Sequence, residues 1–141
     1  DWSSDVIVST NGNEDCHVIL RGGKTPNYDS AAVDAACKEA AAAALACRLM
    51  IDASHGNSQK KPENQVPVLR DIGQQMAAGD MRIFGVMVES HLVAGRQDLV
   101  AGRELVYGQS VTDGCIGWED SVTVLEGLAE AVRQRRLAAA E

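Results

Sequence analysis

No apolar run in this chain approaches the roughly 20 residues that a membrane-spanning helix requires, and nothing in its first residues reads as a signal peptide. Basic residues are also in short supply. Thirteen Lys and Arg stand against twenty Asp and Glu, for a net charge of -7 and a pI near 4.9. Nucleic acid and anionic membrane surfaces both need a basic face, so neither is expected as the main partner. Cysteine is sparse too: Cys16, Cys37, Cys47 and Cys115 form no CxxC pair and no disulfide-framework spacing, which favours a reducing cytoplasm. Disorder-type composition is absent as well. With 45% hydrophobic residues in 141, the chain has material for one buried core and one domain, residues 1–141. It opens on Asp1, without an initiator Met, and is expected to enter in mid-protein.

What the chain does have is a repeated plan. The run Arg48 to Asp52 is short and apolar and ends in the polar cluster Asp52-Ala53-Ser54-His55-Gly56-Asn57-Ser58. A buried parallel strand delivers a functional side chain to the carboxyl edge of its sheet in this way. Thirty-four residues before His55 stands Arg21, after Cys16 to Leu20, and thirty-four after it stands Glu89, after Ile83 to Val88. Three strands therefore each lead into a charged or ligand-type residue.

Taken in order, residues 1–15 predict a β ribbon around the Asn11-Gly12 turn signal. The first βα unit, 16–47, has its strand at Cys16–Leu20 and an alanine-rich helix capped by Asp29 or Ser30 and running to about Ala46, which should pack closely. The second, 48–79, has its strand at Arg48–Asp52 and a helix with Leu69, Ile72 and Met76 at i, i+3, i+7, Pro67 in its first turn and Gly79 at its end. The third, 80–141, has a strand Arg82–Val88, a Gly-punctuated loop Ser90–Gly117, and a helix from about Asp120 to Ala139 with Val122, Leu125, Ala129 and Val132 on one stripe. Alternation of this kind implies an α/β fold with a parallel sheet and right-handed crossovers. Helical-repeat arrays share the 34-residue period but lack a Val/Ile-rich strand in each repeat. Doubly wound sheets and (β/α)8 barrels both remain, and in both the ligands gather where Arg21, His55 and Glu89 fall.

His55, Glu89 and Asp113 offer one nitrogen and two oxygen donors, a set suited to a divalent ion acting as a Lewis acid. The plainer alternative is a hydrogen-bonded histidine, a solvated strand end and a cap. Arg21-Gly22-Gly23-Lys24 can grip a phosphate or carboxylate through the guanidinium and glycine-bared amides, or be an ordinary turn; it is not a Walker loop. Ser54 beside His55 is not expected to form a nucleophile–base dyad, because neighbours in an extended segment point to opposite sides. Cys16 and His17 read as strand packing, His91 as a loop histidine or a neighbour of the site, and Trp2 and Trp118 as packing residues.

Four stretches together carry a resemblance: Asn13 to Lys24 (NEDCHVILRGGK), Asp52 to Ser58 (DASHGNS), Gly85 to Leu92 (GVMVESHL) and Ser110 to Asp120 (SVTDGCIGWED). In order and without large insertions they resemble consecutive motifs of class I 3-deoxy-D-arabino-heptulosonate 7-phosphate (DAHP) synthase, the first enzyme of the shikimate pathway. Gly56 departs mildly, since the family usually has alanine there. The resemblance implies a (β/α)8 TIM barrel of which this chain covers strands six to eight and the preceding ribbon. It implies a condensation of phosphoenolpyruvate with erythrose 4-phosphate that depends on a divalent metal (Mn, Fe, Co or Zn). On the matching positions, His55, Glu89 and Asp113 resemble three of four metal ligands, His55 and Asp113 being catalytic. Arg21 resembles an arginine that holds phosphoenolpyruvate, and Asp113 also contacts the sugar. Lys24 has no assigned role.

The fourth ligand of the family, a cysteine on the first barrel strand, has no counterpart here, and Cys115 is not promoted to it. The resemblance thus implies a fragment, inactive alone, that works as a homo-oligomer or with a companion polypeptide in the cytoplasm. An aromatic amino acid effector is possible in the parent. The competing expectation is a non-catalytic module that binds metal or phosphate through the same face.

Overall fold

The computed structural model describes residues 7–13 and 15–140. Trp2 and much of the expected ribbon lie outside them, and residues 7–13 carry no strand. Beyond that point strand and helix alternate as the sequence predicts: β1 (Val18–Leu20), α1 (Ser30–Ala42), β2 (Leu49–Asp52), α2 (Gln65–Ala77), β3 (Ile83–Met87), and, after a longer insertion, α3 (Trp118–Ala138). The three strands form one parallel sheet in the order β1-β2-β3, with Leu20 opposite Ile51 and Ile51 opposite Val86. Every carboxyl end therefore lies on one rim.

Local chemistry fixes the helix ends. The Asp29 side chain accepts the Ala32 amide at 2.8 Å and caps α1, while Ala44 at φ +57° turns the chain out four residues earlier than expected at its far end. Gly79 at φ +102° ends α2, and Pro67 sits in the first turn, where its missing N–H costs nothing. Acidic Glu119 and Asp120 occupy the first turn of α3 and Arg135 and Arg136 the last, in accord with the helix dipole.

Leu49, Ile51 and Ile83 from the sheet and Val68, Leu69, Ile72 and Met76 from α2 form the centre of the core. Burying such a side chain stabilises the fold by roughly 1.5–3 kcal/mol each. Helix α1 contributes less than its alanine content promises, with only Val33 and Ala40 buried. The face of α3 also differs from the expected stripe. Ser121, Val124 and Ala131 are buried, with Leu128 and Val132 packed against the core, whereas Val122 is 37% and Leu125 58% exposed. Small residues such as Ala131 against Gly73 let α3 sit close to α2, and Val122 and Leu125 are left outside.

The segment expected as a plain loop carries two short strands, β4 (Val93–Arg96) and β5 (Gln109–Ser110), paired in parallel. Cys37 and Cys47 are joined, their Cα atoms 5.1 Å apart, because the early end of α1 folds the chain back within ten residues; the reading of all cysteines as reduced is corrected to that extent. Among the described residues no helix is long and apolar enough to cross a membrane.

At the end of the sheet opposite the rim, Arg82 ties three elements together. Its guanidinium donates to Asp80 at 2.9 and 2.7 Å and to Asp34 of α1 at 2.6 Å, while Arg135 of α3 donates to the Asp80 and Ile83 carbonyls. Hydrogen bonds from Arg82 hold the Asp80 carboxyl below its ordinary value of 3.8. A lowered carboxyl contributes stability that is full above the ordinary value and is lost as pH falls through the lower one. Asp80→Asn should therefore lower unfolding stability at pH 7 by about 1 kcal/mol, discounted for the partly exposed arginine. In urea titrations, the gap between variant and parent should narrow steadily on acidification below pH 3.8.

Candidate metal and anion site at the sheet rim

The site is built outward from the last residue of β2. Asp52 is 1% exposed, and its carboxylate accepts the Ser54 amide at Oδ1 and the His55 ring at Oδ2, both at 2.8 Å. A buried carboxylate accepts but does not donate, so His55 carries its proton on Nδ1 and presents the bare Nε2. His55 itself sits at φ +50°, a left-handed conformation unusual for a side-chain-bearing residue, which turns the ring back over the strand end.

Asn57, also buried, binds the neighbouring loop to this turn. It donates to the carbonyls of Leu20 (3.1 Å) and Asp52 (2.7 Å) and accepts the Asn27 amide (2.7 Å), and Asn27 in turn accepts the amide of Gly22 (2.7 Å). Gly22 lies at φ +74°, and a Cβ there would stand 2.5 Å from both Asn57 N and Gly56 C. Only glycine fits. A Cβ on Gly56 would in turn meet Gly22 C at 2.7 Å, so the two loops touch backbone to backbone. Arg21, one residue before Gly22, reaches over Asp52 with Nε 3.8 Å from Oδ2, and its side chain is 63% exposed. Its guanidinium is open to an anion.

Glu89 is held by its backbone and its side chain. The side-chain amide of Gln65, 0% exposed, accepts the Glu89 amide (2.9 Å) and donates to the Glu89 carbonyl (3.0 Å), which also accepts the Ile116 amide (3.0 Å). Ser54 Oγ donates to Oε2 of Glu89. The other oxygen, Oε1, faces His55 Nε2 at 3.6 Å. Asp113 arrives from the far end of the insertion. Its segment is braced by a reciprocal backbone pair between Gly95 of β4 and Cys115 and by the packing of Gly114 on Pro62.

One donor atom from each of His55, Glu89 and Asp113 lies within 4.8 Å of the others, the one such group among the described residues. The 3.6 Å between Nε2 and Oε1 is close to the ligand separation about an ion with bonds of roughly 2.1 Å. An imidazole whose second nitrogen is already satisfied, with two carboxylates, fits a divalent cation. The structure thus brings together Arg21, His55, Glu89 and Asp113. Lys24 is exposed.

The remaining candidates stand apart. His91 is exposed and its ring accepts the Leu92 amide, so it does not join the cluster. Cys16 and His17 precede β1 and are exposed, His17 meeting Phe84 edge to face at 5.0 Å, so the strand is shorter than expected. Trp118 opens α3 at 62% exposure and is not a packing residue. Burial, followed by the charges of Glu89 and Asp113, pushes the Cys115 thiol up, while Ser110 pulls the other way. Cys115 therefore stays a protonated thiol. Sequence reasoning missed the supporting residues Asp52, Asn57 and Gln65. The first two were visible as polar residues flanking His55, but Gln65 stands 24 positions from its partner with no local signal.

The model of the DAHP synthetase I family matches residues 3–126. The chain belongs to that family. Among curated relatives, phospho-2-dehydro-3-deoxyheptonate aldolase of Haemophilus influenzae is 53% identical over 138 residues, covering 97% of this chain and 38% of the relative. The Phe-sensitive enzyme of that name from Escherichia coli K12 is 51% identical over 135 residues, 96% of this chain and 39% of its own length. The solved structure of the Francisella tularensis aldolase superposes with a TM-score of 0.83 at 48% identity, over 92% of this chain and 38% of that one. The chain thus spans about two fifths of the length of these DAHP synthetase relatives.

Replacing Gln65 by Leu should leave the Glu89 amide buried without a partner. The expected cost is about 2–4 kcal/mol of unfolding free energy for two lost hydrogen bonds and one stranded donor. Hydrogen exchange should locate the loosening at Glu89 and Ile116, and unchanged protection there would show that Gln65 does not hold this rim.

Proposed function

We propose that the chain is the part of a DAHP synthase barrel formed by strands six to eight, a single domain with its preceding ribbon. Its parent condenses phosphoenolpyruvate with erythrose 4-phosphate to DAHP and phosphate, the first step of the shikimate pathway. The observation that carries this reading is the meeting of His55, Glu89 and Asp113 at one rim with the open guanidinium of Arg21 beside them. Family membership supports it.

In this reading His55, Glu89 and Asp113 hold a divalent ion of the Mn, Fe, Co or Zn class, with a cysteine from another part of the barrel as fourth ligand. The ion, when bound, supplies Lewis-acid polarisation of the sugar's aldehyde. Arg21 binds phosphoenolpyruvate through paired hydrogen bonds to an anionic group and orients it on the rim. Asp113, the most exposed of the three ligands, contacts the sugar as well. The Asp52 carboxylate keeps His55 turned to the ion, and Ser54 keeps Glu89 there.

The exposed apolar residues Val18 and Ile19 on β1, with no strand beyond it among the described residues, support further strands at that edge. Alone, the chain is expected to be inactive, and to act in the cytoplasm with a companion fragment or as part of a homo-oligomer. The E. coli relative is Phe-sensitive by name, which supports an aromatic amino acid as effector of the parent.

The test is condensation activity in a barrel completed with the missing strands. Manganese should stimulate it, and His55→Ala should reduce it by well over about 100-fold, since even residues that only orient a metal ligand cost 10–100-fold. Full activity in that variant would sink the assignment. Binding of metal or phosphoenolpyruvate with no turnover in any reconstitution would show instead a non-catalytic module descended from the enzyme.

A further inference from the structure

We propose that Asp52 is a positioning residue shared by the two halves of the site, so that occupation of the anion subsite at Arg21 and of the cation subsite at His55 strengthen one another through a single carboxylate oxygen. The inference rests on the functional reading above and adds to it a linkage through Asp52.

Asp52 is 1% exposed, and burying a carboxylate is costly unless every lone pair is used. Oδ1 is taken by the Ser54 amide. Oδ2 has two claimants: the His55 Nδ1–H at 2.8 Å and the Arg21 Nε–H at 3.8 Å. The first distance is a full hydrogen bond and the second an attraction without one. His55 and Arg21 come from different strands and meet at no other atom in this arrangement. Asp52 is their common point.

The sign of the linkage follows from this sharing. An anion drawn to Arg21 takes up part of the guanidinium's field and leaves Oδ2 more fully to His55. A stronger acceptor at Nδ1–H makes the opposite nitrogen, Nε2, a better donor to a cation, as carboxylates behind metal-bound histidines do. In reverse, a cation on Nε2 polarises the Nδ1–H toward Oδ2 and frees Arg21 for an anion. Thermodynamic linkage requires the two effects to be equal.

An asparagine at 52 isolates the effect. It has one oxygen and one NH2 where the carboxylate has two acceptors. The Ser54 amide claims the oxygen, so the NH2 is turned on His55 Nδ1 and drives the imidazole proton to Nε2, the nitrogen that must face the cation. Shape is kept while the tautomer and the charge are lost.

The experiment uses a complete barrel carrying this chain, with Mn2+ binding measured by calorimetry in the absence and presence of phosphoenolpyruvate, and 15N NMR of His55 reporting the tautomer. The parent should bind Mn2+ at least about 5-fold more tightly when phosphoenolpyruvate is present, the lower range of ordinary coupling. Asp52→Asn should weaken Mn2+ binding about 10–100-fold, move the His55 proton from Nδ1 to Nε2, and reduce the coupling toward one. Coupling of undiminished size in Asp52→Asn would mean that the two charges attract one another directly, and would overturn the proposal. An Nδ1–H tautomer in that variant would overturn it too, and is readable even if the variant is less stable. If His55→Ala binds Mn2+ as the parent does, the metal reading itself fails and this inference with it; if His55→Ala loses Mn2+ while Asp52→Asn keeps it, only the inference fails.

Discussion

Parallel pairing is the constraint from which the rest follows. Each strand must be followed by a crossover that returns the chain to the same starting edge, so the residues after Leu20, Asp52 and Met87 have no choice but to appear together. The insertion carrying β4 and β5 then returns Asp113 to the same place by pairing Ile116 beside Glu89. Metal-donor atoms as far apart in sequence as His55 and Asp113 become neighbours through this topology. The apolar contacts of β2 and β3 with α2 keep the pairing in register.

The two ends of the sheet divide the work. At the end carrying Arg82, opposite charges are matched within hydrogen-bond distance and the arrangement is complete. At the rim the balance is different: Asp52, Glu89 and Asp113 bring three carboxylates against one imidazole and one arginine whose side chain reaches into solvent. Backbone clamps by Asn57 and Gln65 hold these like charges near one another, where they would otherwise separate. Conserving such a surplus costs stability, which is the ordinary sign of a rim shaped for a ligand.

Strands and helices were legible in the sequence because their signals are local. The Val/Ile runs, the Asp29 cap, the Pro67 and Gly79 boundaries and the apolar spacing of α2 all act within a few residues, and each stands where it was expected. His55 and Glu89 were legible as residues following strands, and Asp113 gained weight from the motif around it. What escaped depends on partners far away in sequence. Gln65 looks like any polar residue at a helix start until Glu89 is beside it. The stripe on α3 was misplaced because the small Ser121 and Ala131 face inward with Val124 while Val122 and Leu125 face out, and apolar character is a poor guide where two helices pack through small residues. Strands β4 and β5, four and two residues long, fall below the length at which alternation can be read.

The contact between Gly22 and Gly56 has a mechanical consequence. Where two loops meet through side chains, a small displacement of one is absorbed by rotation about χ angles in the other. Here main chain lies directly on main chain, with no rotatable group between them. The loop bearing Arg21 and the turn bearing His55 must therefore shift as one stiff body or not at all. A methyl group added at position 56 would act as a spacer, setting the distance between the guanidinium and the imidazole from behind, without touching either.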